Sequence, residues 1–142
     1  MDCSEGFQYS YYAGKKAIFQ IKPIRSPYPF NVFCDMRYGG RTVIQSRFKK
    51  KNLFQKSWSE YKSGFGNLAS PGDFWLGNEK IHYITTSRRQ KLLVQTFVGL
   101  YWRQIYHLDF TVGSESENFR MNFDSTKVTA TSGRRIERRL CR

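Results

Sequence analysis

Residues 57–68 read Ser-Trp-Ser-Glu-Tyr-Lys-Ser-Gly-Phe-Gly-Asn-Leu, a stretch that contains both the start and the end of a short helix. Ser57 and Glu60 match a capping box, in which the Ser hydroxyl accepts a hydrogen bond from the third helical amide and the Glu carboxylate reaches back to the Ser amide. Gly64 or Gly66 can end the helix, because glycine adopts the left-handed conformation at little cost. The stretch therefore predicts a short helix with a defined start and end.

Strand-like segments precede this helix. Residues 17–21 alternate between apolar and polar positions and stop before Pro23. Residues 30–36 and 42–48 flank a pair of glycines at 39–40, and this arrangement predicts a β-hairpin. Because the turns between these runs are short, the pairing is predicted to be antiparallel.

Further strand-like segments follow the helix, after a second short helix that Asn78 could cap. Residues 91–98 are rich in β-forming residues, and 118–123 are a last short strand candidate. Helices mixed with antiparallel strands place the chain in the α+β class. One side of a period-two stretch that ends at Gly113 is predicted to carry Trp102, Gln104, Tyr106, Leu108, Phe110 and Val112.

Length and composition exclude several classes of protein. The chain has 142 residues, the usual size of one domain. Aromatic residues make up 17% of it, so it has ample apolar surface to bury and is not predicted to be disordered. The longest strongly apolar run, residues 92–102, is well short of the roughly 20 residues that a spanning helix needs. No membrane span is therefore predicted, and the first residues do not resemble a signal peptide.

The chain is strongly basic, with 24 Lys and Arg residues against 11 acids and a net charge of +13. Residues 127–142 hold six basic groups and one acid, which predicts a packed domain over 1–126 and a basic, divergent tail over 127–142. Two basic clusters could bind a polyanion such as heparan sulfate or nucleic acid; the alternative is a solvated turn and an unstructured tail. The clusters contain Arg47, Lys49, Lys50, Lys51, Arg134, Arg135, Arg138 and Arg139.

The sequence predicts no enzyme and no metal site. His82 and His107 are the only imidazoles, and neither has a Cys, Asp or Glu at metal-ligand spacing. No Ser or Cys lies in a nucleophile motif. Three cysteines, Cys3, Cys34 and Cys141, permit one internal disulfide and leave one thiol over, without indicating which two residues pair.

Several segments together resemble the C-terminal domain family of fibrinogen, and within it the sequence is nearest the fibrinogen-like proteins. The matching segments span residues 2 to about 123 and are highly specific as a set. They read Asp-Cys-Ser-Glu (2–5), Pro-Phe-Asn-Val-Phe-Cys-Asp-Met (29–36), Gly-Gly-Arg-Thr-Val-Ile-Gln (39–45), Trp-Ser-Glu-Tyr-Lys-Ser-Gly-Phe-Gly-Asn-Leu (58–68), Phe-Trp-Leu-Gly-Asn-Glu-Lys-Ile-His (74–82) and Phe-Thr-Val-Gly-Ser-Glu-Ser-Glu-Asn-Phe-Arg (110–120).

The resemblance implies a small N-terminal lobe over residues 1–48, a central lobe over 49–126 and a disulfide between Cys3 and Cys34. Cys141 would then be free or would pair between chains. The resemblance also departs in places, since Arg41 stands where the family usually has Trp. A set of central residues is expected to form the structural core of the central lobe: Trp58, Tyr61, Phe65, Phe74, Trp75 and Leu76.

The resemblance further implies a secreted, non-enzymatic module that binds a protein partner. Residues from 127 onward do not match the family's distal lobe, which carries the calcium loop and the ligand pocket. We therefore expect an incomplete fold of this type, without calcium or another cofactor and without the usual pocket. Two alternatives remain: polyanion binding through the basic clusters, or a degenerate product with no retained activity.

Overall fold

The computed structural model describes residues 3–6, 14–48, 52–69, 72–98 and 101–131. It contains three α-helices, eleven strands and two short 3-10 helices in this part of the chain. The helices are α1 (Cys3–Gly6), α2 (Trp58–Ser63) and α3 (Asn78–Ser87). The strands are β1 (Lys16–Ile21), β2 (Phe30–Asp35), β3 (Arg41–Val43), β4 (Gln45–Ser46), β5 (Phe65–Gly66), β6 (Phe74–Trp75), β7 (Leu92–Val98), β8 (Tyr101–Leu108), β9 (Thr111–Val112), β10 (Met121–Asn122) and β11 (Ser125–Thr131). The 3-10 helices are Met36–Tyr38 and Glu115–Glu117.

The strands form four small antiparallel sheets within the described residues, as the α+β prediction expected. Their strand orders are β1-β2-β3, β4-β6-β5, β9-β10 and β7-β8-β11. The predicted hairpin over 30–48 is present, since β2 pairs with β3. None of the described helices is long and apolar enough to cross a membrane.

The disulfide implied by the resemblance is present and lies in the core. Cys3 on α1 is bonded to Cys34 on β2, and both residues are buried. Strand β2 is the central strand of its sheet, where Ala17 and Thr42 are the register partners of Cys34. The bond therefore ties the start of the described chain to the middle of the first sheet.

Gly40 allows the chain to pass closely beneath α1. Its φ is 76°, and a Cβ at this position would overlap the backbone of Cys3 and Ser4. Gly39 has a similar φ of 81°, but a Cβ there would meet no atom within 4 Å. Both glycines thus adopt the left-handed conformation. Of the two, only Gly40 also lacks space for a side chain, because a Cβ there would overlap the backbone of α1.

We expect Gly40→Ala to destabilise the fold more than the matched variant Gly39→Ala. Both variants carry the cost of a left-handed alanine, about 1–2 kcal/mol. Gly40→Ala adds an overpacking cost of about 1–3 kcal/mol, because its Cβ meets backbone and not a movable side chain. Urea unfolding of the two variants measures the difference. Equal losses of unfolding free energy for the two variants would show that the short distance between residue 40 and the backbone of α1 does not limit the side chain at residue 40.

The predicted capping box forms at α2. The Ser57 amide donates to Glu60 Oε2 at 2.9 Å, and the Glu60 amide donates to Ser57 Oγ at 3.3 Å. The hydrogen bond from Lys56, together with those from Ser57, lowers the pKa of Glu60 to about 2. The helix ends at Ser63, before Gly64 with a φ of 95°. Sequence and structure agree on both ends of this helix.

Helix α3 begins one residue earlier than its predicted cap implies. Gly77 occupies the N-cap position, and Asn78 lies in the first turn. The Asn78 Oδ1 instead accepts a hydrogen bond from the Trp75 indole at 3.1 Å. Ile81 and Ile84 bury one face of the helix against the core.

Two predicted strands are divided by local backbone geometry. The stretch predicted to run from Trp102 to Val112 breaks at Asp109, whose φ of 52° ends β8 before β9 begins. The segment 118–123 starts with left-handed Asn118 and Phe119, so only β10 remains as strand. A positive φ rotates the chain out of the extended conformation, which the alternation of residue types does not reveal.

The boundary predicted after residue 126 falls inside strand β11. Residues 125–131 pair continuously with β8, from Ser125 opposite Leu108 to Thr131 opposite Trp102. Residues 127–131 therefore belong to a sheet and not to an appended tail, because their backbone hydrogen-bonding groups are used by β8. The division into two lobes stays a prediction.

The six predicted core residues differ in their burial. Phe74 and Leu76 are buried, while Tyr61, Phe65 and Trp75 are half-buried. The Tyr61 ring contacts both Phe65 and Trp75, with centroids 5.1 and 5.9 Å apart.

The prediction of a core position is wrong for Trp58, which is 54% exposed. Trp58 is the first residue of α2, a helix without a buried side chain, and the exposed Trp58 ring lies 5.9 Å from the ring of Phe119.

Candidate binding surface

The sheet β7-β8-β11 orders a set of aromatic, amide and cationic residues on one face. Residues directly opposite each other in an antiparallel pair share a face, and alternate residues along each strand return to it. In the observed register Leu93 lies opposite Tyr106, and Tyr106 lies opposite Lys127. We call this side the aromatic face; its residues are Leu93, Gln95, Phe97, Trp102, Gln104, Tyr106 and Lys127, with Lys91 at the entry to β7.

Contacts between neighbouring side chains hold this face together. Phe97 and Trp102 are opposite each other and their ring centroids are 5.3 Å apart. The Tyr106 hydroxyl donates to Gln104 Oε1 at 3.0 Å, and Lys91 Nζ lies 5.2 Å from the centroid of the Tyr106 ring. These contacts order the side chains of the aromatic face.

The sheet is solvated, although it carries many apolar residues. Of the side chains described in its three strands, none is buried. Phe97 is 58% exposed, and Trp102 and Tyr106 are partly exposed. On the opposite face, Leu92 packs against the core and so anchors one end of the sheet. In the described part of the protein, the exposed side chains of the aromatic face are those of Lys91, Gln95, Phe97 and Lys127.

The charges on and beside this sheet are mostly positive. Lys91 and Lys127 belong to the aromatic face, and Arg103 extends from the other face of β8. None of these three cations is in an ion pair with another described residue. The nearby carboxylate of Asp109 is bound by Arg89. The aromatic face thus combines exposed and partly exposed rings with cations.

Both histidines have structural hydrogen-bonding roles. His82 Nδ1 lies 2.8 Å from the Val112 carbonyl, and His107 Nδ1 lies 3.0 Å from Thr126 Oγ1. Over the described ranges, no group of three or more His, Cys, Asp or Glu side chains could hold a metal ion.

Most of the predicted polyanion site lies outside the described residues. Arg47 is exposed, and its guanidinium lies 5.1 Å from the centroid of the Phe54 ring. The other predicted cations and the remaining thiol lie outside the described part of the chain: Lys49, Lys50, Lys51, Arg134, Arg135, Arg138, Arg139 and Cys141. Polyanion binding by this set stays a prediction.

Sequence reasoning found three of the eight residues of the aromatic face. The alternation in 102–106 placed Trp102, Gln104 and Tyr106 on one side of a strand, and the register confirms this. It did not bring Phe97 or Lys127 to the same surface, because only the pairing of β7 and β11 with β8 does so. The exposure of these residues could not be predicted from the sequence either, since an alternating pattern of aromatic residues more often indicates a buried face.

Comparison with known proteins identifies the family to which this fold belongs. The family described as fibrinogen beta and gamma chains, C-terminal globular domain, matches residues 1–139. The chain therefore belongs to the fibrinogen C-terminal domain family. The match continues beyond residue 123, where the recognisable motifs ended.

The relatives confirm the predicted resemblance to fibrinogen-like proteins. The chain is 36% identical to human fibrinogen-like protein 1 over 91% of its own length and 42% of that protein. It is 35% identical to human fibroleukin over 96% of its length and 31% of that protein. The fibrinogen-like globe domain of human ANGPTL2 superposes with a TM-score of 0.82 at 30% identity, covering 92% of this chain and 60% of that one. The chain thus spans less than half the length of the two curated relatives.

Proposed function

We propose that this chain is a non-enzymatic, extracellular protein-binding module whose contact surface is the aromatic face. Fibrinogen-like domains are generally non-enzymatic binding domains. The observation that carries the assignment to this face is its row of aromatic rings, of which Phe97 is exposed and Trp102 and Tyr106 are partly exposed, on a sheet with no buried side chain among those described. Aromatic residues are enriched at protein interfaces, because each buries a large area at little entropic cost.

The charge of the surface supports an acidic protein as the partner. Lys91 and Lys127 lie beside the aromatic row without a described carboxylate to pair with, and the whole chain carries a net charge of +13. A positive surface speeds encounter with an acidic one and disfavours basic partners. The proposed contact uses side chains alone and needs no calcium ion.

An extracellular location fits the covalent structure. Relatives such as fibrinogen, the angiopoietins and the angiopoietin-like proteins are secreted. The Cys3–Cys34 disulfide is of the kind that persists in oxidising compartments and is rare in the cytosol.

Binding of the fluorescently labelled chain to a panel of cultured cell types tests the proposal. We expect saturable binding that protease treatment of the cells abolishes and that rising salt weakens. Phe97→Ala and Lys127→Glu should each reduce the affinity about tenfold, since an interface anchor contributes more than about 1 kcal/mol. Phe48→Ala and Lys22→Glu are matched controls, because Phe48 is 57% exposed and Lys22 is exposed, and neither lies on the aromatic face.

The same assay separates the proposal from the polyanion alternative. Enzymatic removal of heparan sulfate should leave binding unchanged if the partner is a protein. Loss of binding after that treatment, with binding retained after protease, would instead assign the activity to polyanion recognition. Absence of binding across the panel, or equal effects of the control variants, would contradict the role of the aromatic face.

A further inference from the structure

A pocket of about 200 Å³ lies between the loop that follows β1 and the end of α3. Three segments that are distant in the sequence form its walls. Glu5 on α1 lines one side, residues 22–24 line another, and Ile84, Ser87 and Arg88 line the third. None of these residues belongs to the aromatic face, and all of them lie in the described part of the protein. The pocket is therefore a separate feature of the surface.

Hydrogen bonds hold the loop after β1 in place against α3. The Ser26 amide donates to the Pro23 carbonyl at 2.9 Å and so closes a turn. The Arg25 amide donates to Ser87 Oγ at 3.3 Å, which fixes this turn to the last residue of the helix. Ser26 itself is buried. Because both walls are tied to each other, the pocket is formed before any ligand arrives.

The inner part of the pocket is apolar. Pro23 and Ile84 are both buried and form its floor. Ile24 lines the same pocket from the turn, yet it is 86% exposed. Apolar surface that a ligand removes from water contributes favourably to binding, so an aliphatic group placed between Ile24 and the floor would be stabilised.

The mouth of the pocket carries a positive charge. Lys22 and Arg88 line it and are exposed, whereas Glu5 supplies its one carboxylate. Arg88 Nη1 lies 3.4 Å from Glu5 Oε1. Among the described ion pairs none includes Lys22, so its ammonium group has no described carboxylate beside it. Two cations against one carboxylate favour an anionic ligand.

We propose that this pocket binds a carboxylate carried on a short aliphatic group. The carboxylate would lie between Lys22 and Arg88, and the aliphatic group would contact Ile24 and the floor of the pocket. Pockets for drug-sized ligands have about 300–1,000 Å³, so the smaller volume here suits a ligand of only a few carbon atoms. Two sources share this chemistry: a free branched-chain acid, and the C-terminal residue of a peptide. The proposal does not depend on the aromatic face binding a partner.

NMR titration of the full, isotope-labelled chain with 4-methylpentanoate is the first test. We expect saturable resonance shifts in residues 22–26 and 84–88. The matched ligand 4-methylpentanamide has nearly the same shape without the charge, and it should bind about tenfold more weakly, because a hydrogen bond to a charged group contributes more than one between neutral groups. The absence of saturable shifts, or equal affinity for the acid and the amide, would overturn the proposal.

Two variants at the pocket test the role of its residues. Lys22→Gln should weaken the binding of 4-methylpentanoate about fivefold, as expected for an ion pair that is partly open to solvent. Ile24→Ser should also weaken it, and the fold should persist because Ile24 is exposed. Lys56→Gln is the matched control, since Lys56 is paired with Glu60 and does not line the pocket. Equal weakening by Lys56→Gln would assign the binding to the overall charge of the chain and exclude the site.

A peptide ligand distinguishes the two sources of the carboxylate. An N-acetylated tripeptide that ends in leucine should bind more tightly than 4-methylpentanoate if the pocket accepts a peptide C-terminus, and more weakly if it accepts the free acid. In either case the C-terminal amide of the peptide should bind more weakly than its acid. Shifts centred on the aromatic face for both acids would contradict the pocket as their site.

The pocket and the aromatic face can be tested independently with one variant. Lys22→Glu should abolish the binding of 4-methylpentanoate, because it replaces the attracting charge with a repelling one. The same variant should retain the binding to cells that we attribute to the aromatic face, to which Lys22 does not belong. Retention of 4-methylpentanoate binding by Lys22→Glu would overturn the inference about the pocket and leave the proposed function unaffected.

Discussion

Replacing Phe74 with alanine should destabilise the protein by about 3–5 kcal/mol, the usual cost of removing a buried aromatic ring. Phe74 is 1% exposed and lies on β6, the central strand of its sheet, between Ser46 on β4 and Gly66 on β5. Its ring belongs to the main hydrophobic core, so truncation leaves a cavity that the paired strands on both sides cannot close. Urea or guanidinium unfolding, followed by fluorescence and circular dichroism, measures the loss.

Trp58→Ala is the matched comparison for this variant. Although the sequence predicted both residues as core, Trp58 is 54% exposed, and its ring lies beside that of Phe119. Its truncation should cost about 1–2 kcal/mol, less than that of Phe74, because about half of the residue is already exposed to water. Equal losses of unfolding free energy for Phe74→Ala and Trp58→Ala would contradict the difference in burial between the two residues.

Removal of the disulfide should cost about 3–4 kcal/mol. The bond joins residues that are 31 positions apart, and closing a loop of this length removes a corresponding amount of entropy from the unfolded chain. The double variant Cys3→Ala/Cys34→Ala eliminates the bond without leaving a buried free thiol. Denaturant unfolding under non-reducing conditions measures the difference from the parent.

Cys141→Ala is the control for the disulfide variant, and it should leave the unfolding free energy unchanged. Addition of reductant should lower the stability of the parent and of this control, and should have no effect on the double variant. A double variant as stable as the parent would show that the bond contributes nothing to the folded state. A loss confined to Cys141→Ala would indicate that another pairing stabilises the protein.

The local features of the fold were predictable where one short segment contains all of its determinants. Ser57, Glu60 and Gly64 mark the start and the end of α2, because capping depends on residues within a single turn. The glycine pair at 39–40 likewise predicted the hairpin between β2 and β3. The residue motifs also identified the family, and with it the Cys3–Cys34 bond, which the spacing of three cysteines left undecided.

Other features depended on which distant segments meet. Trp58 shares helical spacing with Tyr61 and Phe65, yet the position of α2 at the surface leaves its ring in solvent. Asp109 interrupts a regular alternation with a positive φ that no neighbouring residue type announces. Lys127 was assigned to a tail on grounds of charge, although its strand pairs with β8.

By itself, the amino-acid order determined the class of fold, the helix with its caps, the family and the bonded pair of cysteines. These depend on local backbone preferences and on a recognisable succession of residues. Only the tertiary structure decided that Phe97, Trp102, Tyr106 and Lys127 share one surface that is at least partly exposed. Burial and strand order are set by long-range pairing, which the alternation within one strand cannot specify, because a buried and an exposed face have the same period.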